Sequence, residues 1–305
     1  LFHVTATHPV FLLSIGMGAR VILMGKWDAA EAARLISTHR VTRFLGVPTQ
    51  TADLRAYVAA EGLHLDSLEM LGSGGAKRPP ADVTPLAETF PGVGVASGWG
   101  MTETNAAGAT IVGDDYLARP DATGRLLPPL HEVEIRGDDG RALPPGAVGE
   151  LAVKSPMNMR CYLNQPEATA KTLVDGWLLT GDLATLDAEG YLTILDRKKN
   201  IIIRGGENIA ALEVEAALHH HPDVIEAGVF PVPDPRLGEV VGACLQVTPG
   251  ADLTLEKVCT FLDDRLARFK HPARLWTRTA PLTRGATAKT DRRALARECL
   301  EENAP

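Results

Sequence analysis

The chain has 305 residues, 45% of them hydrophobic and 23% charged, with a formal net charge of -7. That length gives room for about two domains, and an acidic balance without a basic stripe argues against nucleic-acid binding. Four scattered cysteines (Cys161, Cys244, Cys259 and Cys299) lack CxxC spacing, which argues against a zinc site or disulfide framework and fits a reducing, cytoplasmic setting.

The apolar opening "LFHVTATHPVFLLSIGMGARVILM" is broken by His3, His8, Pro9 and Arg20, and no uninterrupted apolar run reaches the roughly 18 residues of a membrane span. Residues 19–26 are expected as a strand, and Asp28 as the N-cap of a helix over "AAEAARLISTH". "VTRFLGVP" predicts a short strand stopped by Pro48, and "TQTADLRAYVAAEG" a helix closed by Gly62. "SLEMLGSGGA" runs from a strand into a glycine turn; a Pro-started helix follows near 79–89, and "GVGVAS" is a further strand. Strands alternating with helices imply βαβ units and a largely parallel sheet, an α/β subdomain over 1–112.

From 113 to 196 the texture changes. "HEVEIRGDDGRALPPGAVGELAVKS" alternates with period 2 around an Asp-Gly turn, and "WLLTGDLATLDAEGYLTILDR" repeats the pattern with "DAEG" as its turn. This reads as a small β-barrel-like subdomain. The charged run "DRKKN" at 196–200 is the expected boundary of a mobile α+β domain over 197–305. That domain carries a helix over "AALEVEAALHH", strands near 224–230 and 240–247 joined by a turn at 232–239, and helices near 254–267 and 290–300.

Four elements are polar where a plain scaffold has little need of polarity. "GSGGAK", 72–77, lets backbone approach a ligand closely, although Arg78 after Lys77 breaks the GxxxxGK[ST] phosphate-loop pattern. "SGWGMTET", 97–104, places Trp99, Thr102 and Glu103 together around Gly98 and Gly100. "LTGDL", 179–183, sets Asp182 at a strand, where a carboxylate can accept two hydrogen bonds from a diol. "DRKKNIIIRGGEN", 196–208, puts Arg197 and Lys199 before a β-branched run and a Gly pair. Taken singly, each also suits a tight connection, a turn aspartate or a solvated linker. His219, His220 and His221 suit a helix C-terminus rather than a metal.

Together with "PLTRGATAK", 281–289, these collinear elements resemble the adenylate-forming superfamily of acyl- and aryl-CoA synthetases, luciferases and peptide-synthetase adenylation domains. "LFHV", "KWDAAEAARLI" and "VPTQ" resemble fatty-acyl and related CoA ligases in particular. The resemblance implies an ATP-dependent acid–CoA ligase. A carboxylate attacks the α-phosphate to give acyl-AMP and pyrophosphate, and CoA then takes the acyl group. It places Gly74, Gly75 and Ala76 against adenine and the acyl group, with Trp99 and Gly100 beside the purine. Thr102 falls to the α-phosphate, Glu103 to Mg²⁺, and Asp182 with Arg197 to the ribose hydroxyls. Lys289 corresponds to the lysine that contacts the carboxylate and α-phosphate, Lys199 to a hinge, Gly205 and Gly206 to the pantetheine channel, and His3 to the border of the acyl pocket.

Three departures stand out. Ala288 replaces the glycine usual before the lysine, and Ile203 stands where some relatives have a second lysine. The superfamily's phosphate loop, TSGTTGxPKG, does not occur in these residues. The chain therefore resembles the C-terminal part of a family member, and the expectation is a fragment of a longer product, a natural truncation being the alternative. Alone it is expected to be inactive or impaired and prone to associate, a homodimer being one such form. Two other readings stay open: an adenylation domain loading a carrier protein, and a non-catalytic adenylate-binding module.

Overall fold

The computed structural model describes residues 3–126, 129–285 and 290–302. Two compact units divide the chain: residues 1–180 with 184–194, and residues 181–183 with 195–305.

In the first unit, a helical run of Val4–Ala6, Thr7–Leu12 and Leu13–Gly16 opens the chain, its middle stretch a π-helix around Pro9. Proline has no N–H for the i→i−4 ladder, and the widened turn absorbs that loss. Residues 19–26, expected as a strand, are irregular. Leu12, Leu13, Ile15, Met17 and Leu23 are exposed around them, so no packed face pins the apolar pattern into a ladder.

Helix α1, Ala29–His39, begins as expected at Asp28, whose carboxylate accepts the Glu31 N–H at 2.8 Å. Strand β1 is Arg43–Gly46, and helix α2, Pro48–Glu61, ends on left-handed Gly62. Strand β2, Met70–Ser73, helix α3, Val83–Thr89, and strand β3, Gly94–Trp99, follow. β4, Ala109–Val112, helix α4, Asp114–Ala118, and β5, Arg125–Leu126, complete this part. The sheet runs β1-β2-β3-β4-β5. Only β1, β2 and β3 are parallel; β4 and β5 add antiparallel, so the sheet is mixed rather than largely parallel. The reason is local: β3 reaches β4 through residues 100–108, a connection too short for a parallel crossover. Leu54, Leu71, Leu86 and Val95 centre the core between this sheet and its helices.

The second sheet is antiparallel. β6, Glu132–Arg136, pairs with β7, Gly149–Lys154. Helix α5, Pro166–Thr172, and β8, Leu173–Val174, lead into β9, Trp177–Leu186, and β10, Leu192–Arg197. The order β10-β9-β7-β6, with β8 beside β9, is an open half-barrel.

In the second unit β11, Ile201–Arg204, and β12, Glu207–Ala210, form a hairpin whose two turn residues, Gly205 (φ 59) and Gly206 (φ 94), are both left-handed. Two residues at positive φ are what a tight hairpin needs. Helix α6 is Ala211–His219, and β13, Val224–Asp234, turns back into β14, Gly238–Val247. Helix α7, Leu255–Leu262, stops short of the expected 267; β15, Arg274–Arg278, and helix α8, Arg292–Glu302, close the unit.

Cys244 and Cys299 lie in a core with Phe230 and Trp276. Burial pushes the Cys244 thiol up to about 12, so it stays protonated throughout the neutral range and lacks the nucleophilic thiolate. Titration with a thiol reagent is expected to modify exposed Cys161 at once. Cys244 and Cys299 are expected to react only when the fold opens, and prompt labelling of Cys244 would contradict the packing.

Candidate active site

The parallel pairing of β2 and β3 brings two of the polar elements side by side, with Ser73 opposite Ser97. At the C-terminal end of β2 the Gly74 N–H donates to Gly46 O at 3.1 Å, and Gly75 takes φ 80. A Cβ on Gly74 would lie 3.4 Å from Thr5 Cγ2 and 3.6 Å from Gly98 O. The glycine turn thus sits between the first helical turn and the Trp99 strand. His3, expected at the border of an acyl pocket, starts that helical turn, and its Nδ1 accepts the Thr5 N–H at 3.3 Å. Lys77 Nζ donates to Ile194 O at 3.0 Å, tying the turn to β10.

Beneath it lies a residue whose role the sequence did not disclose. Arg78 is 2% exposed, and its guanidinium donates to Ser73 Oγ (2.8 Å), Thr51 Oγ1 (3.1 Å) and Ala96 O (3.3 Å). It braces the ends of β2 and β3 against α2. Burial pulls its pKa down, and its Nε has no partner.

Trp99 ends β3 half-buried against the core of the second sheet. Its ring and backbone fill the place a Cβ on Gly108 would take. The chain then folds sharply: a Cβ on Gly100 would come 2.6 Å from Ala106 O, so only glycine fits. Thr102–Thr104 form a single 3-10 turn, followed by Asn105 (φ 57) and Ala106 (φ 60) in the left-handed region. Non-glycine residues there carry strain, a cost that recurs at ligand sites. Thr104 is buried and Thr102 exposed.

Glu103 is half-buried, and Tyr162 Oη donates to its Oε1 at 2.7 Å. Among the described residues no other side-chain hydrogen bond reaches Glu103. The described residues hold no cluster of three or more His, Cys, Asp or Glu suited to a metal. One carboxylate fits magnesium nonetheless, because that ion takes one or two carboxylates together with substrate phosphates rather than a protein cage. A hollow of about 360 Å³ lined by Gly94, Val95 and Gly113 opens at the other end of β3; in parallel sheets ligands bind at the carboxyl ends of strands, where Trp99 lies.

The second unit brings Asp182 and Arg197 together. Arg197 Nε meets Asp182 Oδ1 at 2.8 Å, with the carboxylate nearly buried and the guanidinium half-exposed. Lys199 is exposed in the 3-10 turn Lys198–Asn200. Buried Asp196 fixes that turn, accepting Asn200 Nδ2 (3.1 Å), the Arg197 N–H (2.7 Å) and the Leu212 N–H of α6 (2.8 Å). Gly205 and Gly206 are exposed at their hairpin, whose Gly205 N–H donates to Leu237 O at 2.8 Å.

Lys289 lies outside the described residues, but the positions flanking its segment are fixed. Arg284 pairs with Thr290, and both side chains reach one carboxylate: Thr290 Oγ1 to Glu226 Oε1 (2.7 Å) and Arg284 Nη2 to Glu226 Oε2 (2.8 Å). Arg292 forks onto half-buried Glu215, whose desolvation raises its carboxyl pKa against the opposing pull of the guanidinium. Glu226, Tyr162 and Arg78 are partners joined across long sequence separations, which no local spacing reports.

Comparison with known proteins accords with this geometry. The model for AMP-binding enzymes matches residues 1–163, and the model for the AMP-binding enzyme C-terminal domain matches 213–286. A feruloyl-CoA synthase of Amycolatopsis sp is 37% identical over 274 residues, 89% of this chain and 55% of its own length. A 2-succinylbenzoate--CoA ligase of Bacillus mycoides (strain KBAB4) is 36% identical over 99% of this chain and 61% of its own. The solved o-succinylbenzoate CoA synthetase of Bacillus subtilis, in complex with its acyl-adenylate, superposes with TM-score 0.86 at 32% identity, covering 97% of this chain and 59% of that one. The chain thus spans between 55% and 61% of the length of these curated relatives. No helix among the described residues is long and apolar enough to cross a membrane. With half of its residues under one family model and curated relatives matching nearly end to end, the chain belongs to the AMP-binding, adenylate-forming enzyme family.

Proposed function

We propose that this chain is the greater part of an AMP-forming acid–CoA ligase that activates an aromatic carboxylic acid. The observation that carries the reading is the near end-to-end likeness to acid–CoA ligases whose acids, ferulate and 2-succinylbenzoate, are aromatic. That likeness favours an aryl acid over the fatty acid that the opening motifs resemble.

In this reading Gly74, Gly75 and Ala76 admit adenine and the acyl group close to backbone, and Trp99 with Gly100 flanks the purine. Thr102 would hydrogen-bond the α-phosphate, and Glu103 would hold magnesium. Bound magnesium would neutralise phosphate charge. The Asp182 carboxylate accepts from the ribose hydroxyls while Arg197 holds it in place. Lys289 sets a cation beside the α-phosphate, where charge develops as the carboxylate attacks. Lys199 serves as hinge, and Gly205 and Gly206 leave room for pantetheine; His3 borders the acyl group. Residues 1–112 and 113–196 form the two subdomains of the nucleotide-binding domain, and 197–305 its mobile partner.

The test is acid-dependent exchange of labelled pyrophosphate into ATP across a panel of aromatic and fatty acids, followed by mass detection of acyl-CoA. It is run on the 305-residue chain and on the product of its whole reading frame. Exchange and acyl-CoA with aromatic acids by the whole product, and impaired exchange by the chain alone, are expected. AMP binding without exchange for any acid would favour the binding module. A second acceptor has an observation behind it: the amide bond synthetase McbA of Marinactinospora thermotolerans superposes with TM-score 0.85 at 34% identity. Acyl-amide formed with an added amine, and no thioester with CoA, would select that reading.

A further inference from the structure

The geometry points to Tyr162 as the positioning residue of Glu103, an inference that rests on the reading of Glu103 as the metal-facing carboxylate. Two bonds from one loop hold Glu103: the Met159 N–H donates to Glu103 O at 2.7 Å, and Tyr162 Oη donates to Oε1 at 2.7 Å. The loop is itself fixed at both ends. Asn158 Nδ2 donates to Val153 O of β7 at 2.8 Å, and the Tyr162 N–H donates to Thr169 Oγ1 of α5 at 2.9 Å.

The donor type matters. A lysine or arginine at this place would hold the carboxylate but cancel the charge that attracts a cation. A phenol donates one hydrogen bond and leaves the full negative charge. It also stops rotation about the terminal torsion, which is otherwise soft for glutamate. Oε1 is thereby committed to the protein and Oε2 to the ligand, the division of labour seen where an outer partner orients a metal-binding carboxylate. The strained turn through Asn105 and Ala106 fixes the backbone at Glu103, and Tyr162 fixes the side chain.

The measurement is Mn²⁺ binding, read by electron paramagnetic resonance, to the whole protein loaded with an ATP analogue carrying a methylene between the α and β phosphorus. Tyr162→Phe is expected to weaken Mn²⁺ binding about tenfold, the effect typical of removing an outer partner. Affinity for the analogue in EDTA and the melting temperature are expected to stay unchanged. Glu103→Gln is expected to lose more Mn²⁺ affinity than Tyr162→Phe. If Glu103→Gln weakens the metal but Tyr162→Phe matches wild type, the inference on Tyr162 is wrong and the reading of Glu103 stands. If Glu103→Gln also matches wild type, the reading of Glu103 itself falls. Should Tyr162→Phe fail to fold, Thr169→Ala, which frees the Tyr162 backbone, is expected to weaken Mn²⁺ by a few-fold; an unchanged affinity there overturns the inference equally.

Discussion

Replacing Arg78 by alanine is expected to cost about 3 kcal/mol of stability, whereas replacing it by methionine is expected to cost less, about 2 kcal/mol. Both changes remove the charge and the hydrogen bonds to Ser73, Thr51 and Ala96 O. They differ in volume. Both variants leave the same oxygens without their donor, and alanine adds a cavity beneath β2 and β3, a further cost. Methionine fills the space with an unbranched chain and removes a cation that burial disfavours. The sign follows from the pKa: a base lowered by burial is a group whose charged form the fold penalises, and that penalty applies at every pH below its folded pKa. The unpartnered Nε adds to it. Urea titration of the two variants checks the order. If Arg78→Met is as destabilising as Arg78→Ala, the guanidinium's hydrogen bonds, not its volume, hold the strand ends.

The same residue shows where reading the sequence reached its limit. Strands and helices followed from local signals: Asp28 before a helix, Gly62 after one, "DAEG" between two alternating runs. Each depends on residues within a few positions, so each is legible. Residues 19–26 misled because a short apolar stretch alone does not make a strand; a neighbour to pair with is also needed. At the site, Gly100 was legible as a glycine but not the reason for it, the contact with Ala106 O. Arg78 read only as a residue that spoils a phosphate loop. Its partners Thr51 and Ala96 lie 27 and 18 residues away, and across the 59 positions that separate Glu103 from Tyr162 no periodicity joins them. Side-chain pairs set by tertiary packing leave no local mark.

Lys289→Ala is expected to lower acyl-adenylate formation by about 10²- to 10³-fold, the loss typical of deleting one stabilising group at a developing charge. Release of thioester from preformed acyl-AMP is expected to be little changed, because in that step bonds form and break at the acyl carbon and none changes at phosphorus. Arginine at 289 is expected to recover only part of the loss, since a planar fork does not reproduce a compact ammonium. The structure around the segment supplies an internal control. Thr290, the next residue, is held by Glu226, which also holds Arg284 on the other side. Asp291 N donates to Thr283 O at 2.8 Å, and Thr283 Oγ1 donates to Glu298 at 2.6 Å, so these flanking positions are fixed independently of the nucleotide. Glu226→Ala keeps the lysine in the chain but releases Arg284 and Thr290 on either side of its segment, and loss of position without loss of charge is expected to lower adenylation by about tenfold. The two variants should therefore fall on the same half-reaction with unequal depth. Rapid-quench measurement of acyl-AMP, set against thioester release from supplied acyl-AMP, separates the steps. Equal loss in both half-reactions for Lys289→Ala would mean that the lysine serves the fold and not the attack on phosphorus.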